Sequence, residues 1–227
     1  MQNKKSKVKA TVAILKKFYG KPKAWKAESP LDCLVAVILS QNTSDKNSFR
    51  AFQKLKKTFP MWAAVMVADE SKIASAIRSG GLANIKAKRI KEVLKEIKQR
   101  FGKLDISFLA DMSTAQAREF LLSLKGVGPK SAAVVLNFAF GRAVFPVDTH
   151  VYRVSQRLGL IGEKVSREKA HEVMEALVPN AVKQSYHLNL IRLGREICVE
   201  RKPRCETCPL KRQCKYYAEE FSKSVLQ

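Results

Sequence analysis

Acidic residues are scarce. Asp and Glu total 20 against 43 Lys and Arg, a formal charge of +23 over 227 residues. With 46% apolar residues the chain can bury a real core, as one large domain or two small ones. A globular chain that basic points to a polyanionic partner, first a nucleic-acid backbone and second an anionic membrane surface. The basic residues run along the whole chain, so charge alone locates no binding face.

Long apolar runs are missing. None reaches the length of a membrane-spanning helix, which excludes such a span. The amino end, MQNKKSKVKATVAILKKFYG, lacks the continuous apolar stretch and small-residue cleavage site of a secretory signal. It reads instead as an amphipathic helix, with Val8, Val12, Leu15 and Tyr19 on the face that docks on the protein body. An intracellular, cytoplasmic place, associated with the nucleoid, is the expectation. Histidine is sparse, and His150, His171 and His187 show no metal spacing. Repeats and low-complexity segments are absent. No segment reads as a confident strand.

Cysteine is thinly used except in one place. Four of the five cysteines fall within 17 residues, Cys198, Cys205, Cys208 and Cys214, spaced C-x6-C-x2-C-x5-C. That pattern is not a secreted disulfide framework. Four thiolates so close can hold a tetrahedral zinc or a cubane iron–sulfur cluster, and spacing does not separate the two. Between the first two lies VERKPR, where Lys202 and Arg204, with Arg201 third, are phosphate-contact candidates. Alternatively these charges merely offset the cluster's own. Cys33, alone in PLDCLVAVIL, reads as core packing.

The chain is organised around residues 121–152, LLSLKGVGPKSAAVVLNFAFGRAVFPVDTHVY. Ser113, with Gln116 as capping-box partner, opens a helix that runs to about Leu124. Gly126 and Gly128 permit positive φ and close approach of another backbone, and Pro129 suits the first position of a new helix. The hairpin amides at Gly126, Val127 and Gly128, with the new helix's amino end, form an anion site. Lys130 sits just past the turn, against a helix that reads as buried, and desolvation favours a neutral, nucleophilic amine. The helix carries the chain about 18 Å away. Gly141 breaks it, and 142–147 can return extended over roughly 20 Å. Asp148, 18 residues after Lys130, can therefore come back beside it. There it would steady positive charge on a reacting sugar or move a proton. The plainer reading is a solvated lysine and an aspartate capping THVYRVSQRL.

Elsewhere, Ser29 and Pro30 open a buried helix in which VAVIL is ambiguous with a strand. SQNTSDKN is a candidate substrate surface or an ordinary loop capped by Ser44. Residues 61–79 read as helical, and a helix with Ile90, Val93, Leu94, Ile97 and Phe101 inward follows GGL. Leu82, at the tip of that turn, can act as a wedge between bases.

Three features together, LKGVGPKSAAVVLN, VDTHVYRV and the four-cysteine spacing, resemble the endonuclease III family of helix–hairpin–helix DNA glycosylases, from about 29 to 214. The resemblance implies two all-α domains. One is a six-helix domain over 28–142 with the helix–hairpin–helix at about 113–140. The other joins 1–27 to 143–227 and holds a [4Fe-4S] cluster in loop 198–214. It places the nucleophilic lysine on Lys130 and the catalytic aspartate on Asp148. It puts the filler of the flipped base's hole in the Gln41–Asn42 patch and the opposite-strand wedge on Leu82. Three departures, Leu122, Lys125 and Ser131, leave the chemistry intact but bear on the substrate base. The implied activity is a monomeric, bifunctional glycosylase and abasic-site lyase. It would act on double-stranded DNA bearing damaged bases, by resemblance oxidised pyrimidines, or abasic sites. A monofunctional mismatch glycosylase for uracil or thymine, and a non-catalytic DNA-binding module, are the competing readings.

Overall fold

The computed structural model describes residues 2–22 and 27–225. Among these residues every α or β element is a helix. In chain order they are α1 (Gln2–Tyr19), α2 (Pro30–Ser40), α3 (Asp45–Thr58), α4 (Trp62–Val67), α5 (Glu70–Ala76), α6 (Ala83–Phe101), α7 (Thr114–Ser123), α8 (Pro129–Phe138), α9 (Thr149–Arg157), α10 (Arg167–Leu177), α11 (Lys183–Glu196) and α12 (Lys215–Val225), with short 3-10 turns between some of them. The chain divides into two compact units, Lys26–Arg142, and Met1–Trp25 together with Ala143–Gln227.

In the Lys26–Arg142 unit, polar caps set the starts of the helices. Ser29 accepts from the Asp32 amide, Ser44 from Asn47 and Ser113 from Gln116, and the Gln116 side chain returns the bond to the Ser113 amide. Each cap satisfies an amide that the helix leaves over. The ambiguous VAVIL run is helical because the Ser29–Pro30 start commits it, and Leu34, Val35, Ile38 and Leu39 vanish into the core. Residues 61–79 do not form one helix. The chain breaks at Ala68 and Asp69, which are extended between α4 and α5, and the freed Ala68 carbonyl accepts from Lys91 at 2.6 Å. Asp is a poor helix-interior residue and a good starter, so the break falls before it. Buried Asp32 gathers Ser29 at 2.8 Å, Trp62 Nε1 at 3.0 Å and Lys56 at 3.2 Å, so its charge is paired.

In the other unit α1 buries Val8 and Leu15 in a core shared with Met174, Tyr186 and Leu190. Its amphipathic face is thus a docking face, pinned by Thr11 Oγ1 and Tyr186 OH at 2.8 Å. Leu210, fully buried, anchors the cysteine loop to the same core. No helix among the described residues is long and apolar enough to cross a membrane.

Candidate active site and nucleic-acid interface

The hairpin is built by opposite means at its two glycines. Gly126 takes φ +80° and has no room for a side chain, since an added Cβ would stand 2.1 Å from Arg89 Nε. Gly128 does not take positive φ, contrary to expectation. It is extended at φ −91°, ψ 179°, and the space beside it is open. Its lack of a side chain leaves room for an approaching ligand rather than easing a turn. Val127 also departs from expectation as a DNA contact. Its side chain is buried and its amide donates to Leu124 O at 3.0 Å, so it closes the hairpin from inside. The amino end of α8 has no side-chain cap, unlike α2, α3 and α7 of the same unit. A helix amino end of this kind favours an anion through its dipole and leading amides.

Lys130 is the second residue of α8 and half-buried. The helix ends at Phe138, and Gly141 at φ +63° turns the chain, with the Arg142 amide returning to Leu136 O at 2.9 Å. Lys125 pairs with Glu92 at 3.3 Å, Ser131 is buried under Gln41, and Leu122 is exposed on α7.

Gln41 is not presented to solvent as a filler of a vacated base site. Its Nε2 donates to Gly126 O at 3.1 Å and Ser131 Oγ at 3.3 Å, and its Oε1 accepts from Arg89 at 2.7 Å. An amide with both ends so engaged acts as a strut. Asn42 beside it is exposed and left-handed, φ +53°.

Asn42 belongs to a small set. The non-glycine residues at positive φ among those described are Asn42, Leu82 (φ +48°) and Lys202 (φ +52°). Each is exposed, and each is a DNA-contact candidate from the sequence. Asn tolerates this conformation, whereas for Leu and Lys it costs about 1 kcal/mol or more. Backbone strain that persists at exposed positions is a feature that binding and active sites often carry. Leu82→Gly is therefore expected to raise stability by about 1 kcal/mol in a denaturant titration. The same change lowers the rate of base release about tenfold, the scale of one lost apolar wedge.

In the Ala143-containing unit, Asp148 caps α9, its Oδ1 accepting from the Val151 amide at 2.7 Å. Its approach strand is fixed by side chains contacting three carbonyls. Lys183 donates to Ala143 O at 2.6 Å, His171 Nδ1 lies 3.2 Å from Phe145 O, and His187 Nδ1 lies 3.0 Å from Pro146 O. Two of the scattered histidines thus hold the aspartate's strand. Burial holds His150 below its usual value, with the Asp148 charge opposing.

Cys198, Cys205, Cys208 and Cys214 are free thiols lining one pocket. Among the described residues no three His, Cys, Asp or Glu side chains converge on a single-ion position. The fit to a metal group therefore rests on the donor set: four thiols on one short loop suit either a tetrahedral zinc or a cubane iron–sulfur cluster. Burial pushes the Cys208 thiol up to about 11 and raises Cys205 and Cys214, so without a metal these groups hold their protons. Sequence reading missed Arg157 of α9. It donates to Cys198 Sγ at 3.3 Å, Val199 O at 2.7 Å and Glu200 O at 2.9 Å, bracing the loop. Its i,i+4 partner Arg153 holds Cys198 O at 3.0 Å, and that basic pair was the available signal. Arg157 and Lys211 line the cavity, while Arg201, Lys202 and Arg204 stay exposed. The charges of VERKPR are thus left for solvent or a ligand.

The profile of the HhH-GPD superfamily base excision DNA repair proteins matches residues 35–180. The chain belongs to this superfamily. It is a base-excision DNA glycosylase of the endonuclease III type. Endonuclease III of Sulfolobus acidocaldarius is 36% identical over 82% of the chain and 82% of its own length. A protein of Arabidopsis thaliana is 40% identical over 75% of the chain, which spans 58% of that protein. Among solved structures, a non-covalent endonuclease III–DNA complex superposes with a TM-score of 0.82 at 26% identity, covering 96% of this chain and 98% of that one. A trapped covalent endonuclease III–DNA intermediate gives 0.80 at 26% identity, covering 96% and 98%. In this HhH-GPD glycosylase, α7, the hairpin and α8 are the helix–hairpin–helix.

Proposed function

We propose that this glycosylase is bifunctional, with Lys130 as nucleophile and Asp148 as its acidic partner. The observation that carries the reading is the placement of Lys130: half-buried, one residue inside a helix without a side-chain cap, behind an extended glycine with open space beside it. The hairpin holds the strand through its phosphates, and a damaged base, cheapest to unpair, leaves the stack. The Lys130 amine bonds to C1′ of the deoxyribose as the C1′–N glycosidic bond breaks, and the base leaves with a proton. Asp148 stabilises the developing sugar cation and relays the amine's proton. Ring opening gives a Schiff base. Loss of a C2′ proton then expels the 3′ phosphate, cutting the strand by β-elimination. We take the base to be an oxidised pyrimidine in duplex DNA, the substrate typical of the family, and the protein to act as a monomer.

The four cysteines are proposed to hold a [4Fe-4S] cluster, which would supply a rigid frame for VERKPR rather than chemistry at the sugar. Lys202 and Arg204 then contact phosphate. Lys202→Ala is expected to weaken binding equally across sequences and to flatten the salt dependence of log K by about one unit. Titrations at several salt concentrations check this.

The substrate reading is tested with duplexes that each carry one defined lesion. Base release from oxidised pyrimidines, accompanied by strand breaks without alkali, supports it. Release from mismatched uracil or thymine, with breaks only after alkali, would replace it with the monofunctional reading.

A further inference from the structure

In the Lys26–Arg142 unit three separate loops carry the DNA-contact candidates: the turn after α2 with Gln41 and Asn42, the turn before α6 with Leu82, and the hairpin. One face of α6 reaches all three. Lys86, 1% exposed, donates through Nζ to Leu39 O and to Gly80 O, each at 2.7 Å. The first carbonyl lies in the last turn of α2, two residues before Gln41, and the second lies two residues before Leu82. One turn along α6, Arg89 donates to Gln41 Oε1 at 2.7 Å, and Gln41 passes the link on to Gly126 O and Ser131 Oγ. The Arg89 side chain also fills the space where a Gly126 Cβ would stand.

A buried ammonium is costly, and here that cost is offset by the two main-chain carbonyls it satisfies. What it and Arg89 accomplish is spacing.

We infer that Lys86 and Arg89 are positioning residues for base extrusion. Through Gln41 and the two carbonyls they fix Asn42, Leu82 and the hairpin at one separation, so that gap filling, wedging and phosphate grip meet the duplex together. The inference rests on these loops facing DNA, as proposed above. It assigns Gln41 to the protein side of the interface and leaves Asn42 as the group that enters the duplex.

The test uses the full chain and a lesion duplex with 2-aminopurine beside the lesion, whose fluorescence reports unstacking. Arg89→Ala and Gln41→Ala are each expected to cut the single-turnover extrusion signal and base release about tenfold. The double variant should be no slower than the slower single, because both act through one chain of bonds. Arg89→Lys, which keeps a donor within reach of Gln41, should recover part of the loss. Lys86→Met leaves the Leu39 and Gly80 carbonyls without their donor and is expected both to melt lower and to extrude poorly, so the Arg89 and Gln41 variants carry the test. Asn42→Ala and Leu82→Ala serve as direct-contact references. If these two slow extrusion while the Arg89 and Gln41 variants match the parent, or if the Arg89 and Gln41 losses simply multiply, the positioning role is overturned and the DNA-facing reading stands. If Asn42→Ala and Leu82→Ala change nothing, the DNA-facing reading falls and takes the inference with it.

Discussion

Lys130→Ala is expected to lower base release by at least about 10³-fold, or about 4 kcal/mol, and to abolish strand cleavage. Duplex affinity should move by less than about threefold, because the proposed phosphate contacts of the hairpin are main chain and the charge lost is one among many. Folding should be untouched. Lys130 is half-buried at the second position of α8, and alanine is the better helix former there. Single-turnover kinetics with a thermal melt of the same preparation checks all three parts. A variant that melts normally yet retains rapid release would remove Lys130 from the chemistry.

Asp148 has the second large effect, and here structure and chemistry can be separated. Its carboxylate accepts from the Val151 amide and so caps α9. Asn keeps a capping oxygen and loses the charge, whereas Ala loses both. Asp148→Asn is expected to slow base release about 10²- to 10³-fold with an unchanged melting temperature. Asp148→Ala should be as slow and less stable by about 1 kcal/mol, a drop of about 2–4 °C for a chain of this size. Calorimetry beside single-turnover assays distinguishes the two losses. Equal rates for Asp148→Asn and the parent would reduce Asp148 to its cap.

Much of this fold was legible because its signals are local. Ser29, Ser44 and Ser113 cap within three residues, Gly141 turns the chain after α8 by adopting positive φ, and the cysteine spacing is a short loop. The Ala68–Asp69 break was not legible, since the apolar positions on either side keep one rhythm while the carbonyl it frees depends on Lys91 of α6, 23 positions away. The site was legible only where the chemistry sits in one motif. Lys86, Arg89 and Arg157 act on main-chain carbonyls and amide groups brought near by packing, and a carbonyl leaves no residue-type signature. Gln41 shows the same limit from the other side. It stood out as a polar residue in a polar turn, but which way its amide faces is decided by Arg89, 48 positions on.

The strain at Asn42, Leu82 and Lys202 was likewise invisible in composition, since a leucine or lysine codes for no left-handed turn. It adds to the sequence reading an independent, backbone-level reason to place these three positions at the ligand.

Borohydride reduction during turnover, followed by peptide mapping of the trapped protein–DNA adduct, addresses the central claim most directly. A covalent adduct on the Lys130 peptide, absent in Lys130→Ala, is the predicted result. Base release without any trappable adduct, or an adduct mapping to another amine, would contradict the account.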